Sequence, residues 1–448
     1  MKIEQFEDTN LSHYSYAILS DNREIVLIDP ARDPKSYYDY ALANEAKIIG
    51  VIETHPHADF ISSHLQIHQE TGAKIYVSTL LSAGYPFVAF DEGAALEFGD
   101  VKLKSLNTPG HSPDSISVVL EHKSKDIAVF TGDTLFIGDC GRPDLREKGE
   151  DLNLKREELA KKMYSSLRNK LMLLDDDVAV YPAHGAGTLC GKALSKANSS
   201  TIAAEKLTNW SLREMSESEF VTALTADQPF IPKYFPYDVD LNKKGAPSFD
   251  ESVQKVVSGR IVDNREQAAL LDPEVLIVDT RDADIYKKQH LTNSINIMDG
   301  EKFETWLGTL VAPGDLFYLA GRSNETLTAL IERIAKIGYE PFIREAFVLD
   351  AGDEKSDILN LNTFKEDPAA FTIVDIRNSS EAREKPVFED AINIPLPELA
   401  ERSEEIPTNK PIVVHCAGGY RSAAGSSLLE SRLDAKVYDL SEDIKKFY

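Results

Sequence analysis

Cysteine is scarce in this 448-residue chain: Cys140, Cys190 and Cys416 are the whole complement. So odd and sparse a set builds no disulfide framework, and each has to be weighed as a reactive thiol. Long apolar runs are missing as well. None reaches the ~18 residues that a bilayer-spanning helix needs, so membrane insertion and a membrane partner are not expected. Basic residues are in deficit, 49 against 74 acidic, for a formal charge of −25. That field repels a phosphate backbone and no Lys/Arg cluster reverses it locally, which excludes nucleic acid as a partner. It also repels small anions, so an anionic substrate needs a local cationic pocket. Arg142, Lys192 and Arg421 are the candidates for one. The acidic start, Met1 to Asp8, lacks the basic and apolar stretches of a secretion signal, and a cytoplasmic location is expected.

What is present is the composition of a folded chain, 42% apolar and 27% charged, on a length that predicts three domains. Apolar β-rich runs at 16–19, 24–28 and 48–52 alternate with helical stretches such as 34–45. Further strands read at 74–77, 101–106, 115–120, 126–130 and 178–181, and the charged stretch 154–174 reads as an amphipathic helix. Polar residues gather at the strand ends, as in a site built on loops over a rigid sheet. The proline-rich stretch Pro229 to Pro247 breaks both periodicities and is the candidate linker, placing a boundary near residue 247. Beyond it the chain repeats itself. Leu276-Ile277-Val278-Asp279-Thr280-Arg281 recurs as Thr372-Ile373-Val374-Asp375-Ile376-Arg377, and Ser294-Ile295-Asn296-Ile297 as Ala391-Ile392-Asn393-Ile394. An offset of about a hundred residues is a domain repeat, so two copies of one small parallel α/β module are expected.

In the first part, Thr54-His55-Pro56-His57-Ala58-Asp59-Phe60 follows a strand directly. Thr108-Pro109-Gly110-His111, Phe130-Thr131-Gly132-Asp133 and Tyr181-Pro182-Ala183-His184-Gly185 each place one more potential ligand just after a strand. Imidazole and carboxylate suit iron, zinc and similar divalent metals, and four convergent strand ends point to a metal site. This order of motifs resembles the metallo-β-lactamase superfamily, whose fold is an αββα sandwich, over a first domain at 1–247. Within it, Phe130 to Phe136 followed by Gly138-Asp139-Cys140-Gly141-Arg142-Pro143-Asp144 resembles the persulfide dioxygenases. That resemblance implies His55, His111 and Asp133 as ligands of one Fe(II) per chain, acting on a low-molecular-weight persulfide and dioxygen to give sulfite. The superfamily's two-zinc hydrolases carry histidine where this chain has Phe60, and phenylalanine ligates nothing. His57, Asp59 and His184 are then expected beside the ligands, orienting them or binding water. The resemblance assigns Arg142 to the substrate's anionic end, the alternative being a salt bridge. Cys140 is either an inert wall or a redox group. Cys190, six residues past His184, is either an accessory thiol that accepts sulfur or an incidental cysteine.

Near the C-terminus the apolar strand Pro411-Ile412-Val413-Val414-His415 runs into Cys416-Ala417-Gly418-Gly419-Tyr420-Arg421-Ser422 ahead of a helix. Amides of a glycine-rich turn and a helix N-terminus stabilise a thiolate there, and a persulfide on it in the same way. The segment, with Val374-Asp375-Ile376-Arg377 upstream, resembles the rhodaneses over 358–448. It implies Cys416 as sulfur carrier and Arg421 as anchor of the anionic donor or acceptor. The middle copy, 255–350, has Phe317-Tyr318-Leu319-Ala320-Gly321-Arg322-Ser323 at the matching place and no cysteine, so it reads as an inactive rhodanese-like domain that spaces or docks the active one. Joined, these chemistries describe a dioxygenase that makes sulfite and a sulfurtransferase that couples sulfite with thiosulfate, in a dimer or tetramer. The rivals are a glyoxalase-II-like thioester hydrolase with two zinc ions, and a scaffold that stores sulfur without turnover.

Overall fold

The computed structural model of the chain describes residues 1–143, 152–192 and 194–448. Asp144 lies outside the described residues. The chain forms two compact units, Met1–Glu251 with Ala335–Gly338, and Ser252–Ile334 with Tyr339–Tyr448.

Successive side chains of a strand point to opposite faces, and the central strands of the first unit, such as Glu24–Ile28 and Ile116–His122, are apolar on both. Ile18, Val26, Ile28 and Ile52 of one six-stranded sheet meet Val101, Leu103, Val118, Leu120 and Phe130 of a second six-stranded sheet in a core between them. On the outer side of the first sheet, Ala17, Ile25, Leu27 and Val51 pack under Tyr37, Ala41 and Ile67 of the helices Lys35–Ala43 and His64–Thr71. Val119, Val129 and Val180 pack likewise under Ala160, Met163 and Leu167 of the helix Leu152–Asn169. The result is a four-layer αββα sandwich. Each fully buried large aliphatic side chain contributes roughly 1.5–3 kcal/mol to it.

The proline-rich stretch expected to be a linker is folded. Phe235–Lys244 is a helix, and Pro236 sits in its first turn, where the missing N–H costs nothing. Buried Asn242 on this helix donates to the carbonyls of His57 and Phe60 at 2.9 and 2.8 Å and accepts from the Ser62 amide at 2.9 Å. A segment that interrupts the hydrophobic pattern thus braces the ligand-bearing loop.

The second unit contains two parallel sheets. One runs Arg260–Val262, Ile343–Leu349, Phe317–Gly321, Leu276–Asp279, Ser294–Asn296, and the other Ile392–Asn393, Thr372–Asp375, Ile412–His415, Val437–Asp439. The repeated Asp-x-Arg is one device used twice. Arg281 forks back onto the Asp279 carboxylate and Arg377 onto Asp375. Asn296 then donates to the carbonyls of Asp279 and Arg281, and Asn393 to those of Asp375 and Arg377. The recurring residues pin the same strand end in both modules.

Candidate metal centre and thiol loop

Four strands deliver the first site. Lys47–Ile52 runs out toward His55, His57 and Asp59, Val101–Asn107 toward His111, Lys125–Gly132 into Asp133, and Ala179–Pro182 toward His184. All six side chains are buried. His55, His111 and Asp133 bring one ligand atom each within 4.8 Å of one another. Nε2 of His55 stands 3.8 Å, and Nε2 of His111 3.5 Å, from Oδ2 of Asp133.

The opposite ring nitrogens decide the tautomers. Nδ1 of His111 lies 2.8 Å from the Arg142 carbonyl, which only accepts, so Nδ1 carries the proton. Thr54 gives its hydroxyl hydrogen to Asp29 at 2.8 Å, and its oxygen accepts from Nδ1 of His55 at 3.0 Å. Both imidazoles therefore turn a lone pair toward Asp133. The two carboxylate oxygens of Asp133 are buried without a hydrogen bond. Lone pairs facing such a carboxylate repel it, and an uncompensated buried charge costs several kcal/mol, unless a cation lies between. Two imidazole nitrogens and one carboxylate in this state fit a divalent metal ion.

A second group, His57, Asp59 and His184, also comes within 4.8 Å. Nε2 of His184 stands 3.4 Å from Asp59 and 3.6 Å from Asp133, while Nδ1 donates to the Ser12 carbonyl at 3.2 Å. His57, however, turns Nε2 to Asp29 at 3.2 Å and Glu53 at 3.4 Å. Burial opposes charge on His57, but these carboxylates outweigh it and raise its pKa to about 10. The Phe60 ring packs against His57 and His13, with centroids 4.3 and 3.9 Å away. Sequence reasoning missed Asp29, Glu53 and His13. Asp29 follows the strand Glu24–Ile28 as Glu53 follows Lys47–Ile52, so attention to strand ends would have found both. His13 opens a strand and carries no such signal.

Arg142 reaches a candidate ligand through its backbone. Its carbonyl orients His111, and its buried guanidinium lies 3.4 Å from the carbonyls of Leu189 and Phe230. Lys192, another cation considered for an anion, instead ties down the carbonyls of Ala223 and Ala226. Cys190 joins Asp133 and His184 within the same 4.8 Å limit. Burial, and then the carboxylates of Asp59 and Asp133, push its pKa up, so it is held as a thiol. Cys140 packs in the apolar layer with Val129, Leu135, Ala160 and Met163.

Gly141 carries the tightest constraint in the site. A Cβ there would stand 2.0 Å from the Asp133 carbonyl oxygen and 3.1 Å from Nδ1 of His111. Gly141→Ala must therefore push apart the backbone that presents two candidate ligands. A loss of roughly 1–3 kcal/mol in stability is expected, with metal content per folded chain falling at least severalfold. Denaturant unfolding and metal analysis of the same preparation check both.

In the last module the strand Ile412–His415 leads to buried Cys416 and the helix Tyr420–Glu430. Gly419, at φ +104°, adopts a conformation that glycine takes without strain and points its amide at Cys416 Sγ, 3.2 Å away. Arg421 is already paired: Glu381 accepts from both of its terminal nitrogens, at 2.7 and 2.9 Å. At the matching place in the middle module, Phe317–Gly321 passes through Arg322 and Ser323 into the helix Asn324–Ala335 with no thiol.

Known proteins share both parts. The metallo-beta-lactamase superfamily profile matches residues 8–184, and the rhodanese-like domain profile matches 263–355 and 359–448. The crystal structure of a metallo-beta-lactamase from Staphylococcus aureus subsp. aureus COL is 31% identical with a TM-score of 0.67, covering 78% of this chain and 99% of that one. The chain belongs to the metallo-beta-lactamase superfamily, as a domain of that fold fused to two rhodanese-like domains. Among curated relatives, the mitochondrial persulfide dioxygenase of Mus musculus is 32% identical over 175 residues, 38% of this chain and 63% of that protein. A cytoplasmic hydroxyacylglutathione hydrolase of Arabidopsis thaliana is 32% identical over 176 residues, again 38% of this chain and 63% of its own length. The chain thus spans less than two thirds of either relative. No described helix is long and apolar enough to cross a membrane.

Proposed function

We propose that this chain is a bifunctional sulfur enzyme: a persulfide dioxygenase with one Fe(II) held by His55, His111 and Asp133, and a sulfurtransferase acting through Cys416. The observation that carries the first half is Phe60, packed between His13 and His57 where a two-metal site needs a ligand, beside a triad whose lone pairs converge. The likeness to a persulfide dioxygenase supports it. Fe(II) held by these three residues would supply dioxygen binding and activation. In the net reaction a low-molecular-weight persulfide, dioxygen and water give the thiol, sulfite and two protons. Arg142 and Thr54 keep His111 and His55 in the ligating tautomer. His57, Asp59 and His184 are grouped beside the triad as positioning groups, and Cys190, held as a thiol next to Asp133, acts as an incidental cysteine in this reading. Arg142 acts as an orienting residue in this reading, because its guanidinium lies against backbone carbonyls.

In the second half, the Cys416 thiolate attacks the sulfane sulfur of thiosulfate. The sulfur–sulfur bond breaks, sulfite leaves with the electron pair, and a Cys416 persulfide forms. The reverse step returns thiosulfate from sulfite. The Gly419 amide, 3.2 Å from the Cys416 sulfur, and the helix N-terminus are placed to hydrogen-bond the sulfur in each state.

One observation favours a second reading: His57, Asp59 and His184 are still clustered, as a thioester hydrolase with two metals requires. Metal content of protein purified with little exposure to oxygen, combined with oxygen uptake on adding a small persulfide, decides between them. One iron per chain with persulfide-dependent uptake is expected. Two zinc ions and no uptake would move the assignment to thioester hydrolysis.

A further inference from the structure

The middle module has no cysteine at the matching place yet has a firmly tied loop at 298–302, leading into the helix Phe303–Leu310. Arg333 donates to both oxygens of Glu304, to Asp299 and to the Gly300 carbonyl, each at 2.7 Å. The Glu304 residue is fully buried. Four charge-assisted hydrogen bonds from one guanidinium fix a loop far more firmly than a spacer needs. What docks on it belongs to the sulfur site. Tyr420, the residue after Gly419, donates its hydroxyl to the Met298 carbonyl at 2.6 Å, and its ring lies so close to Gly300 that a Cβ there would stand 2.6 Å from it. One residue on, the Arg421 guanidinium lies 6.0 Å from the centroid of the Trp306 ring, on the helix Phe303–Leu310. Further along the Tyr420–Glu430 helix, Ser427 accepts from the Asn296 amide at 2.9 Å. Three residues of the helix that follows the Cys416 loop are thus held by the module without a thiol.

Resting on the sulfurtransferase reading above, we infer that the middle module positions the catalytic loop of the last one, with the Met298–Gly300 segment seating Tyr420 and Trp306 holding the Arg421–Glu381 pair at the mouth of the Cys416 site. The argument is geometric. The Gly419 amide helps the sulfur anion only while the loop keeps its shape, and Tyr420 is the adjoining residue anchored outside its own module. The Trp306 face shields one side of a guanidinium that is otherwise committed to Glu381, which keeps the cation where an anionic sulfur compound enters. Trp306 and Tyr420 are positioning residues in this scheme. Neither touches the reacting sulfur.

The test uses the full chain and thiosulfate with cyanide as acceptor, alongside the pH dependence of Cys416 alkylation by iodoacetamide. Trp306→Ala is expected to raise the KM for thiosulfate about three- to tenfold with kcat nearly constant, and Trp306→Phe, which keeps an aromatic face, to return it to within about twofold. Tyr420→Phe and Gly300→Ala are expected to lower kcat about three- to tenfold and to move the alkylation midpoint to higher pH. Persulfide-dependent oxygen uptake should stay unchanged in all four, and a far-UV circular dichroism spectrum and melting curve like those of wild type report that the substituted modules are folded. If Gly300→Ala does not fold, the other three variants decide. An active wild type whose KM, kcat and alkylation midpoint ignore every substitution overturns the inference alone. A wild type with no Cys416-dependent transfer overturns the sulfurtransferase reading and the inference together.

Discussion

Cys416→Ser is expected to lower sulfur transfer from thiosulfate by about a thousandfold or more, while oxygen uptake on a small persulfide continues. A serine hydroxyl is nearly isosteric and accepts the same Gly419 amide, so the loop survives. The hydroxyl loses nucleophilicity, because it stays protonated at pH values where a thiolate forms, and an oxygen–sulfur adduct has no route back to a persulfide. The change removes one step and leaves the shape. Thiocyanate formation measures the loss, and intact mass after thiosulfate treatment tells whether the sulfur adduct is present in wild type and missing in the variant. If the variant still carries the sulfur, Cys190 or Cys140 is the carrier and the role of the loop is wrong.

Asp133→Asn is the second large effect. The amide removes the anionic ligand while keeping its size, so iron affinity should fall at least about a hundredfold and persulfide-dependent oxygen uptake with it. The metal-free protein should not suffer. In wild type the Asp133 carboxylate is buried without a hydrogen bond and faces imidazole lone pairs, an arrangement that opposes folding until a cation arrives. Metal-free Asp133→Asn is therefore expected to melt at the same temperature as metal-free wild type or higher. Fe(II) at about a thousand times the wild-type dissociation constant should stabilise wild type by about 4 kcal/mol and the variant by about 1.4 kcal/mol or less. Anaerobic melting of both proteins with and without Fe(II) checks this. Equal stabilisation of the two would remove Asp133 from the ligand set.

Much of the architecture was legible because its signals are local. Apolar β-rich runs between turn residues marked the strands of the sandwich, and ligand-type residues directly after strands marked the candidate metal site, since residues just past neighbouring strand ends gather at one edge of the sheet. The Asp-x-Arg repeat exposed the duplicated module because Arg281 and Arg377 fold back on carboxylates two residues away. The misreadings arose where distant segments meet. Pro229 to Pro247 looked like a tether, yet its helix carries Asn242 to a loop some 180 residues earlier in the chain. The partner of Arg421 was equally hidden, since Glu381, which accepts from both of its terminal nitrogens, lies forty residues upstream.

The sequence by itself determined which residue types stand at which strand ends, the order of the modules and which copy keeps a thiol, because each is written in adjacent residues. Only the tertiary structure decided the tautomers of His55 and His111, the turning of His57 toward Asp29 and Glu53, and the seating of Tyr420 on the module without a cysteine. Hydrogen-bond direction and ion pairing depend on which side chains approach within about 3 Å, and packing between elements sets that approach, which no periodicity along the chain encodes.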